Sequence, residues 1–277
     1  MDGKGLMVES TNVSADQKRK VDESARNDAF SFYSMTVISY LESAVPNYVE
    51  NLDVIFKDNP VLVDWLDNVW LHEESEHGML TKEFVMATWP EYDWQTGYEQ
   101  FLIEYGPRCA HEELRPSPGL EALARCVTET QATMSYRCLI SYSSDPKLQE
   151  LMKKMSTDEV RHYREFRKTF NAYNETENNS FITKARTIIG RSELVKDEDL
   201  LMAFRPSNHN WNGDLPFDRW DYAQYMSELG RITKQHLPVA EAQKMLFKPM
   251  RTKGWINNFL VNCLASIIKR QFLAVHA

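Results

Sequence analysis

Two stretches of the 277-residue chain place a glutamate and a histidine three residues apart: Glu74 and His77 in WLHEESEHGM, and Glu159 and His162 in MSTDEVRHYREF. On an α-helix positions i and i+3 share a face. Apolar residues continue each face, with Leu66, Trp70 and Phe84 around the first pair and Met155 and Phe166 around the second, so both pairs are expected to point inward. Two more glutamates stand alone on stripes that are otherwise apolar or small. Glu42 shares its stripe with Met35, Ile38, Val45 and Val49, and Glu129 shares its own with Ala122, Cys126, Ala132, Thr133 and Tyr136. Four ionised carboxylates buried without compensation would cost several kcal/mol each. Two divalent cations balance four such charges, and two neutral imidazoles complete the ligand set.

One Glu from each of two helices and one Glu-x-x-His from each of two others is the pattern that builds a di-iron or di-manganese carboxylate site in a four-helix bundle. Mixed carboxylate and imidazole ligation suits iron or manganese better than the thiolate-rich sites of structural zinc. The four glutamates are separated by 32, 55 and 30 residues, which places each on its own helix of an antiparallel bundle.

The elements that must carry these side chains are marked by their punctuation. Helical periodicity from about Ala29 to Ala172 is interrupted at Asn59-Pro60, Trp89-Pro90, Arg115-Pro116-Ser117-Pro118-Gly119 and Asp145-Pro146, which read as helix ends and starts. Period-two alternation is almost absent, so the chain is expected to be all-α. The expected organisation is a polar tail over 1–27, a four-helix bundle over 28–172, and further helices over 173–277 packed on it. The polar run Asn171 to Ser180 is read as the separator.

Hydrophobic residues make up 43% and charged residues 26%, which excludes a wholly disordered chain. A net charge of -8 argues against nucleic acid or an anionic membrane as the main partner. Cys109, Cys126, Cys138 and Cys263 form no C-x-x-C pair and the first 27 residues hold no apolar leader, so reduced thiols in a cytoplasmic protein are expected. The apolar stretch Phe259 to Ile268 is half of what a bilayer span requires, and no membrane span is expected.

The chain resembles the soluble acyl-carrier-protein desaturases of the ferritin-like superfamily. The first ligand helix, Glu42-Ser-Ala-Val-Pro-Asn-Tyr48, is similar to the family's E-E-A-L-P-T-Y; Trp70-Leu-His-Glu-Glu74-Ser-Glu-His77-Gly78 to W-x-x-E-E-N-R-H-G; and Asp158-Glu159-Val-Arg-His162 to D-E-K-R-H. The resemblance covers roughly Phe30 to Phe170 and continues weakly from Phe217 to Trp255. It implies a ferritin-like four-helix bundle with additional C-terminal helices, and Glu42, Glu74, His77, Glu129, Glu159 and His162 as ligands of two iron ions. It also implies Trp70 and Asp158 in a hydrogen-bond network behind the metals, an external electron donor such as ferredoxin or its reductase, an acyl carrier protein or small-molecule substrate, and a homodimer in fatty acid metabolism. Near Glu129 the family often carries Thr three residues on; here that position is Ala132, and Thr133 stands one further as the candidate hydroxyl.

The function implied is O2-dependent desaturation of a carrier-bound acyl chain. The same centre also fits hydroxylation, N-oxygenation or oxidative cleavage of a biosynthetic intermediate, and a ferroxidase or iron-handling protein is a reading from another class. Against storage, some 100 residues follow the fourth ligand helix, more than a compact cage subunit needs. Against a radical subunit, the position four residues after His77 is Thr81 where a Tyr would be expected. His72 and His111 have no partner at ligand spacing and are expected at the surface or as satisfied core residues. The basic stretch Lys147 to Lys168 reads as a solvated face, with docking of an acidic carrier or ferredoxin as its functional alternative.

Overall fold

The computed structural model describes residues 24–109, 114–194, 198–251 and 261–262. Among them every regular element is a helix, and the one β-type pairing is an isolated bridge between Tyr92 and Trp211. The helices are α1 (Ala29–Ser43), α2 (Val49–Ile55), α3 (Pro60–Trp65), α4 (Leu71–Thr88), α5 (Trp94–Tyr105), α6 (Pro118–Tyr142), α7 (Pro146–Glu177), α8 (Phe181–Leu194), α9 (Leu200–Ser207), α10 (Tyr222–His236) and α11 (Val239–Phe247). No described helix is long and apolar enough to cross a membrane.

The starts follow from side chains that satisfy orphan backbone donors. Asp28 accepts from the backbone of Phe30 and Ser31, Asn59 from Leu62, Ser117 from Leu120 and Asp145 from Lys147 and Leu148, with Pro60, Pro118 and Pro146 at first helical positions. Leu66–Trp70 joins α3 to α4 as a π-turn, in which the Leu71 N–H bonds the Leu66 carbonyl.

Contacts between named residues set the directions of the four longer helices that surround the glutamates. Arg26, just before α1, reaches the carbonyl of Thr88 at the end of α4, and Glu177 at the end of α7 accepts from Ser117 and Gly119 at the start of α6. Glu76 and Glu73 of α4 meet Lys154 and Arg161 of α7, and Asp28 and Glu42 meet Tyr142 and Tyr136 of α6. Each of α1, α4, α6 and α7 is therefore antiparallel to two neighbours. The chain runs up through α1, down through α4, down through α6 and up through α7, with α5 in the crossover between α4 and α6. Buried apolar residues form two clusters. One includes Phe30, Phe32, Trp89 and Met152, the other Phe56, Leu66, Leu123 and Phe166, and the glutamates lie between them. Helices α8, α10 and α11 pack on α6, and α9 packs on α1 and α5.

Two boundaries differ from the sequence reading. The run Asn171 to Ser180 does not divide the bundle from the later helices at 172, because α7 continues through it to Glu177 and ends at Asn178 in the left-handed region, φ 49°. Glu177 is held there by its bonds to the start of α6, a tertiary gain that overrides the polar local composition. The stripe of Glu42 is also not one helix: α1 stops at Ser43, Val45 lies in a 3₁₀ turn, and Val49 opens α2. Pro46 lacks an N–H and disfavours helical backbone in the residue before it.

Candidate metal centre

Glu42 comes from the end of α1, Glu74 and His77 from α4, Glu129 from α6, and Glu159 and His162 from α7; all six are buried. Ligand-type atoms of Glu42, Glu74, His77 and Glu159 lie within 4.8 Å of one another, and so do those of Glu74, Glu129, Glu159 and His162. Glu74 and Glu159 belong to both groups, so two cations held here would share them. Glu42 with His77 and Glu129 with His162 each belong to one group only and would each serve a single cation.

The imidazoles are aimed from behind. Nε2–H of His77 donates to Asp158 at 3.2 Å, and Nδ1 faces Glu159 at 3.3 Å, Glu74 at 3.5 Å and Glu42 at 4.0 Å. Nε2–H of His162 donates to Glu73 at 2.8 Å, and Nδ1 faces Glu74 at 3.0 Å and Glu159 at 3.1 Å. Asp158 and Glu73 each precede the ligand-type glutamate of their own helix, and each holds the histidine of the other helix. Arg161 joins the two acids, at 2.6 Å from Glu73 and 2.8 Å from Asp158, and is half-exposed. A ligating histidine oriented through its second nitrogen is the usual outer arrangement of a metal site. The phenol of Tyr136 donates to Glu42. Sequence reasoning placed Tyr136 on the inward stripe but assigned neither it nor Glu73 a partner.

The donor set fits metal on an internal observation. Nδ1 of His77 and Oε1 of Glu159 are buried without a hydrogen-bond partner, and both face the centre of the cluster. Hard carboxylates with imidazole and no thiolate suit iron or manganese.

Burial, reinforced by Glu74 and Glu159, pushes the Glu42 carboxyl well above the ordinary range; burial and Glu159 do the same to Glu129. Burial also acts to raise Glu74 and Glu159, but the imidazoles of His162 and His77 outweigh it and hold both below the ordinary value. Burial acts to lower the histidines, and the carboxylates overcome it. The close carboxylates of Glu159 and Glu74 push His77 up to about 11, and Glu129, Glu159, Glu73 and Glu74 raise His162 well above its usual value.

Trp70 does not join the network with Asp158. Its indole N–H is buried with no partner, and its ring packs on Tyr48 and Phe166. Because α4 and α7 are antiparallel, Trp70, seven residues before His77, lies opposite Phe166, about 12 Å along α7 from Asp158 at 1.5 Å per residue. Thr133 is buried and donates to the Glu129 carbonyl at 2.7 Å, so its hydroxyl is spent on its own helix and Ala132 lines the wall beside the cluster. His72 is exposed, and His111 and Cys263 lie outside the described residues. Cys109, Cys126 and Cys138 are free thiols.

Against the cluster lies a cavity of about 360 Å3 between α1, α6, α10 and α11. Glu42, Glu74, Glu129, Glu159 and Trp70 contribute to its wall, and aliphatic side chains such as Ile38, Leu139 and Ile232 dominate it elsewhere. No protein-family model matches the chain, and no curated protein matches it in sequence.

Proposed function

We propose that the chain is a ferritin-like di-iron oxidase that uses O2 to attack an unactivated C–H bond of an apolar substrate, desaturation of an acyl chain being the reaction its motifs resemble. The observation that carries this reading is the pair of four-residue donor groups sharing Glu74 and Glu159 on the wall of an apolar cavity. Support for the ferritin-like assignment comes from the up-down-down-up course of α1, α4, α6 and α7 with one crossover. A cavity lined largely by apolar side chains favours an organic substrate over iron storage, which needs a polar path for ions.

Two irons held by these six residues supply O2 reduction: the two hydrogens removed from the substrate, with two electrons and two protons from an external donor, convert O2 to two waters. The chain's own contribution is positional. Glu73 and Asp158 fix the histidine rings so that Nδ1 of each faces the cluster, and Tyr136 holds one oxygen of Glu42. The aliphatic walls exclude water and hold the substrate against the carboxylates. The exposed side of the Glu73–Arg161–Asp158 network gives a hydrogen-bonded route from the surface to both histidines, which suits it to receive electrons from a docked ferredoxin or reductase.

The test is metal content per chain after purification from iron-supplemented cells, with the visible spectrum before and after reduction and re-exposure to O2. About two irons with an oxygen-dependent spectral change are expected, and Glu159→Ala and His162→Ala lose both. Less than one metal per chain after reconstitution refutes the reading, as does wild-type iron content in either variant.

A further inference from the structure

The cavity is not uniformly apolar. Along α6 it extends from Arg125 past Glu129 to Leu139, about 21 Å at 1.5 Å per residue, and the two ends differ in chemistry. The longer arm, from Glu129 to Leu139, is walled mainly by aliphatic and aromatic side chains of α1, α6 and α10, with Ser34, Gln131, Ser135 and Thr233 as isolated polar groups among them. At the short end, one turn from Glu129, the wall carries Arg125, Arg191, Tyr48, Tyr105 and the acceptor Asp199.

The donors at this end are under-used. Arg125 is only 5% exposed; its Nε donates to Glu121 at 2.8 Å, its guanidinium stacks over the Tyr48 ring at 5.1 Å, and its two Nη groups bond no described residue. Arg191 gives its Nε to the Thr128 hydroxyl at 3.1 Å and forms no ion pair with a described residue. The hydroxyls of Tyr48 and Tyr105 donate to no described residue, and burial raises both, so they remain protonated donors. Glu121 is occupied twice, by Arg125 and by the Arg115 backbone N–H. Donors that line a cavity and have no protein acceptor are available to a ligand, and a planar guanidinium is matched to a two-oxygen anion.

We infer that this end of the cavity holds the carboxylate of a free organic acid, with Arg125, Arg191 and Tyr48 as its donors, and that the apolar remainder of the acid lies along α6 past the glutamates towards Leu139. A thioester on a carrier has no charge to place there. The head is one helical turn from Glu129, about 6 Å along the axis, so the carbons nearest the cluster are those within a few bonds of the carboxylate. This assignment of substrate class rests on the di-iron reading for what is done to the acid, but the binding itself needs no metal.

Metal-free full-length protein is titrated with octanoate, dodecanoate and hexadecanoate and with the methyl ester of each, following the fluorescence of Trp70 and its neighbours and checking by calorimetry. At least one acid is expected to bind ten or more times tighter than its ester. Arg191→Gln and Tyr48→Phe, which leave the buried Arg125–Glu121 pair intact, are expected to erode that preference about tenfold and twofold or more, respectively, with ester affinity unchanged. Acids bound no tighter than their esters, no acid bound at all, or an acid preference untouched by both variants overturns the inference. Iron loading measured separately keeps the two readings apart: acid selectivity without iron sinks the oxidase, and two irons without acid selectivity sink only the carboxylate site.

Discussion

Replacing Gly78 by alanine tests whether the spacing of α1 and α4 sets the metal geometry. A Cβ at this position would stand 2.9 Å from the backbone N and Cα of Ser43, where ordinary contact begins at 3.4 Å. Backbone cannot rotate away, so the two helices must part by about 0.5 Å at this level. Gly78 follows His77 and Ser43 follows Glu42, so the displacement falls on the two donors that would serve one metal position only. Metal–ligand bonds tolerate about 0.2 Å. Gly78→Ala is therefore expected to weaken that position at least tenfold, while the one using Glu129 and His162 of α6 and α7 holds, giving a fall from two metals towards one per chain. The metal-free protein pays about 1–3 kcal/mol for overpacking, offset by roughly 1 kcal/mol from replacing a helical glycine. Gly190→Ala on α8 is the control: nothing lies within 4 Å of the added Cβ, so metal content stays at wild type and stability is expected to rise by about 0.4–1 kcal/mol. Metal analysis, chelator competition and thermal melts of both variants decide it. Two metals at wild-type affinity in Gly78→Ala, with a metal-free melt no lower than that of Gly190→Ala, would refute the reasoning.

Three further outcomes are expected. His77, His162, Glu42 and Glu129 are all raised, so their contribution to the metal-free fold is fully present below their unfolded values and is lost as pH climbs through the folded ones, in the case of His77 towards about 11. Metal-free melts should fall between pH 5.5 and 8.5 while metal affinity rises over the same interval as the protons leave; a flat metal affinity contradicts the assignment. Glu73→Ala should lower metal affinity about 10–100-fold by freeing the His162 ring, and His72→Ala, one residue away and exposed, should leave it unchanged in the same chelator competition. Glu121→Ala strands the buried Arg125 charge and should cost about 3–5 kcal/mol in denaturant melts; a loss below 1 kcal/mol would show that water or another acid reaches Arg125.

The helix starts at Asn59, Ser117 and Asp145 were legible because their signals are local: each bonds backbone within three residues. The six cluster residues stood out because an acidic or imidazole group on an apolar stripe is costly without a partner. The features that stayed hidden depend on distant contacts. Glu73 looks like any exposed-face glutamate until α7 brings His162 to it, and Glu177 holds the last turn of α7 only because α6 begins beside it. Trp70 stands at a familiar motif position, but the antiparallel run of α4 against α7 carries it away from Asp158. Arg125 reads as one more basic residue on a helix, and only its burial and its idle Nη groups distinguish it.

The crossed grip of Glu73 on His162 and of Asp158 on His77 has a consequence for how the chain is divided. An acid, a glutamate and a histidine recur in the same order on α4 (Glu73, Glu74, His77) and α7 (Asp158, Glu159, His162), so the pair α1 and α4 and the pair α6 and α7 carry matching sets of groups. Each hairpin would then supply three donors to one metal position and a single glutamate to the other, and it holds its twin's histidine from behind. Neither hairpin carries a complete position, and a disturbance that loosens one half is felt at the imidazole of the other.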